Sequence, residues 1–171
     1  MLIGVISDTH DNLENIGKAV KLFNQKQVEL VFHCGDWNSP FVPDFFKTLN
    51  CRIISVFGNN ERERALFHER AKQQNWNIEF HDLAVELELE QRKLAIFHGH
   101  SAPLLHSLIF SGKYDAVFSG HTHAYKTELH GKTLHVNPGT ISQFRAGNII
   151  DEPTVALYNT DTNRAEIVHL K

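Results

Sequence analysis

Side chains that can bind metal ions recur along the whole length of this chain, and each follows a short apolar run. They are carboxylates, imidazoles and one carboxamide, at Asp8, His10, Asp36, Asn59, His98, His121 and His123. Nitrogen and oxygen donors of these types suit divalent transition ions, and such ions activate water for hydrolysis. The residue types therefore point to a two-metal hydrolytic site.

Five apolar runs precede these residues and are typical of buried strands: 2–6, 30–32, 53–57, 94–97 and 116–118. In sheets built by alternating strands and helices, the carboxyl ends of the strands converge on one crevice, whatever their separation in sequence. A lone Asp or His after a strand is more often a helix cap or a hydrogen-bonding residue. A whole series of buried polar groups is hard to explain without a metal, because each would need another partner.

The series resembles the motifs of calcineurin-like metallophosphoesterases. The family's DxH, GD, GN, H and GHxH motifs correspond to Asp8-Thr9-His10, Gly35-Asp36, Gly58-Asn59, His98 and Gly120-His121-Thr122-His123. The chain is most similar to the short bacterial and archaeal phosphodiesterases of that superfamily, whose Asn-Pro-Gly-Ser-like segment appears here as Asn137-Pro138-Gly139-Thr140. The resemblance extends from about residue 2 to about residue 160.

The resemblance implies a role for each motif residue. Asp8, His10 and His123 would hold one metal ion, Asn59, His98 and His121 would hold the other, and Asp36 would bridge both. Manganese is the family expectation, and zinc, iron, nickel and cobalt remain open because the same donors suit them all. The implied activity is hydrolysis of a small or nucleotide-like phosphodiester by attack of a metal-bridging hydroxide. Two divalent ions against two carboxylates leave about two surplus positive charges, which favours a phosphate substrate.

One position departs from the family pattern. Many members read Gly-Asn-His-Asp/Glu, and that histidine is implicated as the acid that protonates the leaving group; this chain has Asn60 there. A carboxamide has no pKa near neutrality, so Asn60 can donate a hydrogen bond but cannot act as a general acid. We therefore expect diesters with good leaving groups to react far better than alkyl monoesters, unless His100 or a metal-bound water supplies the proton.

Four further residues lie in or near the motifs, and each has an ordinary structural alternative. His100 completes the predicted catalytic set of Asp36, Asn59 and Asn60, or is a plain loop residue. Asn12 either reaches the substrate or caps the first helix. Arg145 either contacts a phosphate oxygen or is a solvated surface charge. His33 is expected to orient Asp36 or to pack inside.

Length and composition favour a single enzyme domain over 1–171, with no Gly/Pro/Ser-rich linker. The net charge of −3 gives no reason to expect broad nucleic-acid or membrane-surface binding. No apolar stretch approaches the roughly 20 residues of a membrane span. Because Cys34 and Cys51 border apolar runs and residue 2 already opens a strand, we expect a cytoplasmic protein without a cleaved signal peptide.

The remaining segments complete an α/β architecture. Helices are predicted over 12–26, 41–49, 61–75 and 103–111, and strict alternation over 85–89 indicates a half-buried strand. After His123, hairpin signals dominate. Strand–helix winding followed by antiparallel strands suits the four-layer αββα sandwich of this family, with two mixed β-sheets flanked by helices.

Two other functions remain open. The chain could be a catalytically weak or inactive scaffold that binds a protein partner, as at least one eukaryotic sorting-complex subunit with this fold is. Loss of a ligand would favour that alternative, but every motif position is filled. A metal-stabilised domain without activity explains poorly why the ligands gather at one edge. A homo-oligomer is also open, with the aromatic stretch from Trp37 to Phe46 as its contact.

Overall fold

The structure is a computed structural model that describes residues 1–142 and 152–171, together with the backbone of 144–145 and 148–149. Its strands are β1 Leu2–Ile6, β2 Leu30–His33, β3 Arg52–Val56, β4 Ile78–His81, β5 Ala84–Leu89, β6 Arg92–Phe97, β7 Ala116–Phe118, β8 Lys126–His130, β9 Thr133–Asn137, β10 Phe144–Arg145, β11 Asn148–Ile149, β12 Thr154–Asn159 and β13 Arg164–His169. Its helices are α1 Leu13–Gln25, α2 Arg64–Gln74 and α3 Ala102–Phe110, with a 3₁₀ helix at Val42–Phe46. Within the described ranges, no helix combines the length and the apolar character needed to cross a membrane.

The strands form two mixed sheets. The first has the order β13-β12-β1-β2-β3-β4, with β1 to β4 parallel and the last two strands of the chain antiparallel beside β1. The second has the order β5-β6-β7-β9-β8, with β6, β7 and β9 parallel between antiparallel edge strands. Within the described residues, β10 and β11 pair with each other. The hairpins predicted after His123 are present as β8–β9 and β12–β13.

Three apolar layers hold these elements together. Ile3, Phe32, Ile96, Phe118 and Tyr158 belong to the layer between the two sheets. A second layer joins the first sheet to α1, α2 and the 3₁₀ helix, with Ile16, Phe23, Phe46, Phe57 and Phe67 among its members. A third, smaller layer joins the second sheet to α3 and includes Ala95, Ile109 and Val117. The order is helix, sheet, sheet, helix, which confirms the predicted four-layer sandwich.

The segment between β2 and β3 differs from the sequence prediction. A helix was expected over 41–49, but the structure has a 3₁₀ helix of five residues with a proline in its first turn. Trp37 and Phe46 are buried in the core, whereas Phe41 and Phe45 remain exposed. Trp37 and Phe46 are therefore not accessible to a second copy, and only Phe41 and Phe45 could form the proposed aromatic contact.

Two further elements differ from the sequence prediction. The helix expected over 61–75 begins only at Arg64, so Glu61 lies in the loop before it and is buried. β4 was not predicted; it extends the first sheet by pairing in parallel with β3. The loop that follows β3 is consequently packed between β2, β4 and α2, and it carries part of the candidate site.

Candidate metal centre

Loops at the carboxyl ends of five strands carry all seven predicted metal ligands. The loop after β1 carries Asp8 and His10, the loop after β2 carries Asp36, and the loop after β3 carries Asn59. From the second sheet, the loop after β6 carries His98 and the loop after β7 carries His121 and His123. Since all five strands are parallel to a neighbour in their sheet, their polar ends meet where the edges of both sheets come together.

The backbone at these positions is strained. Asp8, His10, Asp36, His121 and His123 have φ angles of 54°, 38°, 60°, 67° and 55°. Residues other than glycine are uncommon in this left-handed region, and each such residue costs on the order of 1–3 kcal/mol. Left-handed residues concentrate at functional sites, where the surrounding structure holds them in place. Their concentration at five of the seven predicted ligands therefore favours a functional role.

Two motif glycines are required by close packing. A Cβ atom on Gly58 would lie 2.1 Å from Asp36 Oδ1, and one on Gly120 would lie 1.9 Å from Ser7 Oγ and 2.6 Å from Asp8 Oδ2. All three distances are far inside van der Waals contact. The glycines of the GN and GH motifs thus let neighbouring loops approach the two carboxylates, which explains physically why these motifs carry glycine.

Asp8, His10 and His123 form a first group of converging ligands. Asp8 Oδ1 lies 3.2 Å from His123 Nε2 and 3.8 Å from His10 Nε2. The two imidazole Nε2 atoms lie 3.1 Å apart. The three donor atoms are therefore close enough to bind one ion together.

A second group consists of Asp8, Asp36 and His98. His98 Nε2 lies 3.4 Å from Asp36 Oδ1, and His10 Nε2 lies 3.6 Å from Asp36 Oδ2. Asp8 belongs to both groups, whereas the family resemblance implied Asp36 as the shared ligand. Asp36 nevertheless faces a histidine of each group with a different oxygen, so it lies between them.

Two buried atoms of these groups are available to a metal ion. Among the described residues, neither Asp8 Oδ1 nor His98 Nε2 has a hydrogen-bond partner. His98 Nδ1 donates to the Cys34 carbonyl oxygen at 2.7 Å, which leaves the lone pair on Nε2. Buried polar atoms without partners are rare, and metal-binding histidines are commonly fixed in this way through their second nitrogen. The residues present therefore fit a divalent ion.

The charge of the site favours a cation. Burial by itself raises the pKa of Asp8 and of Asp36, but the neighbouring imidazoles, His10 and His123 for Asp8 and His98 for Asp36, lower both below the ordinary value. Burial lowers the pKa of His98, and the two carboxylates more than reverse that effect. Both carboxylates are consequently ionised at neutral pH in a water-poor pocket, and nearby positive charge would stabilise them.

His121 lies beside the second group, and Asn59 lies in the loop that approaches Asp36 through Gly58 and Asn60. The backbone N–H of His121 donates to Asp8 Oδ2 at 3.0 Å, and its ring centroid lies 5.1 Å from that of His98. Asn59 follows Gly58 and is exposed. The structure thus brings the sequence-predicted ligands to one edge of the molecule, with Asn59 and His121 at the solvent side.

Asn60 contacts Asp36 directly. Its backbone N–H donates to Asp36 Oδ1 at 3.1 Å, and its carboxamide Nδ2 donates to Oδ2 at 2.6 Å. Both oxygens of Asp36 are therefore held by one residue. Asn60 acts here as a hydrogen-bond donor, which is the role that its chemistry allows.

Sequence reasoning missed three residues that hold the ligand loops. Glu61 accepts hydrogen bonds from the backbone N–H groups of Trp37 and Gly58, and burial and the nearby Asp36 raise its pKa. Asn137 Nδ2 donates to the Gly120 carbonyl oxygen at 2.7 Å, and Thr140 Oγ1 donates to the Asp8 carbonyl oxygen at 2.8 Å. The last two lie in the Asn-Pro-Gly-Thr segment, so the family motif was a signal for them.

The remaining predicted residues have varied surroundings. His100 lies next to His98, with ring centroids 5.7 Å apart, and Nδ1 of His100 is buried without a hydrogen bond to the described residues. Asn12 caps α1 by accepting from the Asn15 N–H, and its contact with a substrate stays a prediction. His33 is buried and stacked on Trp37 with ring centroids 3.5 Å apart, and it accepts from the Gly35 N–H. The side chain of Arg145 lies outside the described residues.

A four-layer sandwich with carboxylates and imidazoles gathered at its strand ends defines a class of metal-binding phosphoester hydrolases. Residues 1–163 match the calcineurin-like phosphoesterase superfamily domain, so the chain belongs to that superfamily. It is 40% identical over 161 residues to a phosphodiesterase of Methanocaldococcus jannaschii, an alignment that covers 94% of each chain.

Solved structures agree with this assignment. An archaeal phosphodiesterase is 39% identical, with a TM-score of 0.90 over 99% of this chain and 100% of that one. Yfce, a phosphoesterase from E. coli, is 20% identical, with a TM-score of 0.70 over the whole of both chains, and supports the fold alone. The chain is therefore a hydrolase of phosphoric esters with candidate ligands for divalent metal.

Proposed function

We propose that this chain is a dinuclear metal-dependent phosphodiesterase that hydrolyses small or nucleotide-like phosphodiesters, with manganese as the expected ion. The observation that carries the proposal is the convergence of two ligand groups on the buried Asp8 carboxylate, whose Oδ1 lacks a hydrogen bond to the described residues. The name of the Methanocaldococcus relative supports diester chemistry.

The proposed ligand roles are those that the family resemblance implies; the first set is the first group, and the second set shares His98 with the second group. Asp8, His10 and His123 would hold one ion, and Asn59, His98 and His121 the other, with Asp36 between them. When bound, the two ions would lower the pKa of a water molecule and offset charge that develops on the phosphoryl group. The histidines are neutral ligands, so the loaded site keeps a positive surplus that would attract an anionic ester.

The chain itself orients the ligands. The Cys34 carbonyl fixes the ring of His98, Asn60 holds both oxygens of Asp36, and Thr140 fixes the backbone at Asp8. Preorganised groups of this kind need no rearrangement during the reaction, which is how electrostatic sites reach high rates. No side chain is assigned as the nucleophile.

Neither candidate side chain is well suited to supply a proton for the leaving group. Asn60 is a carboxamide. Burial, followed by the charges of His98, His121 and Arg64, lowers the pKa of His100, which disfavours the protonated imidazolium that a general acid needs. Bound cations would lower that pKa further. This supports the preference for esters with good leaving groups.

The first test compares bis(p-nitrophenyl) phosphate with the corresponding monoester on metal-stripped protein to which Mn²⁺ is restored. We expect metal-dependent turnover that is far faster on the diester and that Asp36→Ala abolishes, while the exposed control Asp82→Ala retains it. No turnover with Mn²⁺ or Zn²⁺ despite bound metal would reject the proposal in favour of a scaffold that binds a protein partner.

A cytoplasmic location and a single domain belong to the same proposal. Cys34 and Cys51 are free thiols, and Cys34 is buried, which suits a reducing compartment. Protein recovered from the cytoplasmic fraction, with one cooperative unfolding transition in denaturant, is the expected result.

A further inference from the structure

The loops that follow β2 and β3 meet at one buried carboxylate. Glu61 is 4% exposed, and its Oε2 accepts from the backbone N–H of Gly58 at 2.7 Å. Its Oε1 accepts from the backbone N–H of Trp37. Gly58 immediately precedes Asn59, and Trp37 immediately follows Asp36. Each oxygen of Glu61 therefore holds the backbone next to one candidate metal ligand.

We propose that Glu61 is a positioning residue that sets the distance between Asp36 and Asn59 and thereby builds the metal site that includes His98. The inference rests on the proposed two-metal function, because it concerns the second of the two ion sites. Glu61 acts through the two loops and is not itself a ligand.

The two loops are packed so closely that another side chain could hardly replace the hydrogen bonds of Glu61. A Cβ atom on Gly58 would lie 2.1 Å from Asp36 Oδ1 and 2.8 Å from the Asp36 backbone nitrogen. The two loops therefore already lie as close as they can. Asn60 adds a second link from the same loop to Asp36. If the Glu61 contacts were lost, Asp36 would stay attached to Asn60, but the angle between the loops would no longer be fixed.

The charge of Glu61 also points to a role at the site. Within the described part of the chain, no lysine, arginine or histidine forms an ion pair with its carboxylate. The Arg64 guanidinium donates to the backbone oxygen of Glu61 and to that of Gly58, and not to the side chain. The side chain of Glu61 is therefore held by the backbone of the two ligand loops and by no counter-charge among the described residues.

A glutamine at this position would test both contacts at once. Glutamine has the same shape but only one acceptor oxygen, so either Trp37 or Gly58 would face an NH₂ group instead of an acceptor. Glu61→Asp keeps the charge and shortens the reach, and Glu63→Gln changes an exposed glutamate in the same loop. Glu61→Asp thus tests the length of the side chain, Glu61→Gln tests its second acceptor oxygen and its charge, and Glu63→Gln is the control for loss of a surface charge.

The first readout is Mn²⁺ binding measured by calorimetry on metal-stripped protein. Wild type and Glu63→Gln are expected to bind two equivalents. Glu61→Gln should bind one equivalent normally, at Asp8, His10 and His123, and the second at least tenfold more weakly, with Glu61→Asp in between. Retention of the first site would show that the variant is folded. A general loss of structure would instead weaken both sites.

The second readout does not depend on metal. In metal-free protein, the amides of Trp37 and Gly58 should exchange hydrogen at least tenfold faster in Glu61→Gln than in Glu63→Gln. Unchanged exchange, or full affinity for the second equivalent, would overturn the inference. A wild type that binds fewer than two equivalents would overturn the two-metal proposal, and the exchange rates would still decide the role of Glu61. If Glu61→Gln does not fold, Glu61→Asp carries both measurements.

Discussion

At the scale of single residues, Asn60 bears most directly on the proposed chemistry. It stands where many family members have a histidine, and its side-chain N–H group donates to Asp36. In the proposed mechanism Asn60 would therefore help to position a ligand and would leave the departing alkoxide without a protein acid.

Asn60→His should restore part of the missing acid function. We expect a higher kcat on diesters with poor alkoxide leaving groups, by the 10²–10⁴-fold typical of general acids at most, and little change with p-nitrophenolate, which departs without a proton. The measurement is kcat for a series of leaving groups in both proteins. An equal effect on all leaving groups would instead assign the change to altered Asp36 geometry.

The ligands themselves could be predicted from the sequence because each stands beside a recognisable glycine or histidine in a motif. The contacts of Glu61 could not, although the family's Gly-Asn-His-Asp/Glu pattern has an acidic residue at this position. In the sequence Glu61 also opens a Glu-Arg-Glu-Arg run, which is typical of a solvated helix start. Glu61 is buried because α2 begins only at Arg64 and because Trp37, in the loop after β2, lies against it. Such non-local contacts leave no local pattern.

At the scale of elements, the loop between β3 and α2 is tightly packed at its start, where a Cβ atom on Gly58 would overlap Asp36. The strands around it were predicted correctly because they are apolar runs that end in polar motifs. β4 was missed because Ile78–His81 alternates apolar and polar residues over only four positions. The predicted helix over 41–49 was too long because its aromatic residues suggested helical spacing. The chain instead buries Phe46 on a five-residue 3₁₀ helix and Trp37 in the loop before it.

Gly58→Ala should destabilise the protein, whereas Gly17→Ala should stabilise it. The added Cβ at Gly58 meets Asp36 Oδ1, and overpacking of this kind costs about 1–3 kcal/mol. A Cβ on Gly17, in the exposed middle of α1, meets nothing within 4 Å, and alanine there is favourable by about 0.5–1 kcal/mol. Urea unfolding of both metal-free variants measures the difference. A stability for Gly58→Ala equal to wild type would contradict the close approach.

At the scale of the whole molecule, buried neutral histidines couple the fold to pH. Burial, assisted by the nearby charges of Lys126 and His130, lowers the pKa of His135 to about 4, and burial lowers that of His33 to about 3. An unfolded histidine titrates near 6.5, so below that pH the unfolded chain binds more protons than the folded one. Stability is therefore complete above about pH 6.5 and falls as the pH is lowered toward 4.

His135→Gln should reduce this loss. The wild type should lose up to about 1.4 kcal/mol per pH unit for each such histidine, and about half of that slope at pH 6.5, so removal of one should recover about 1.5 kcal/mol of the loss between pH 6.5 and pH 5. Denaturant unfolding at several pH values gives the slopes, and His106→Gln, at an exposed histidine, is the control. Parallel slopes for His135→Gln and wild type would show that this residue is protonated in the folded state.

Metal ions should stabilise the whole fold, because the ionised carboxylates of Asp8 and Asp36 face each other only in the folded chain. At a free Mn²⁺ concentration of 100 times Kd, one site adds about 2.7 kcal/mol, or roughly 5–10 °C in Tm for a chain of this size. Calorimetric scans with and without chelator measure the shift. Asp36→Ala should lose most of it; an undiminished shift would place the bound ion elsewhere.

The position of β12 beside β1 has a consequence for protein synthesis. β1 is central in the first sheet, with β2 from the next part of the chain on one side and β12 on the other. Thr140, which fixes the backbone of Asp8, is 132 residues away from it in sequence. Contacts of such long range form slowly and late. A nascent chain on the ribosome would thus carry its first ligands for most of translation without a site in which to use them, and we expect manganese to be acquired only after release.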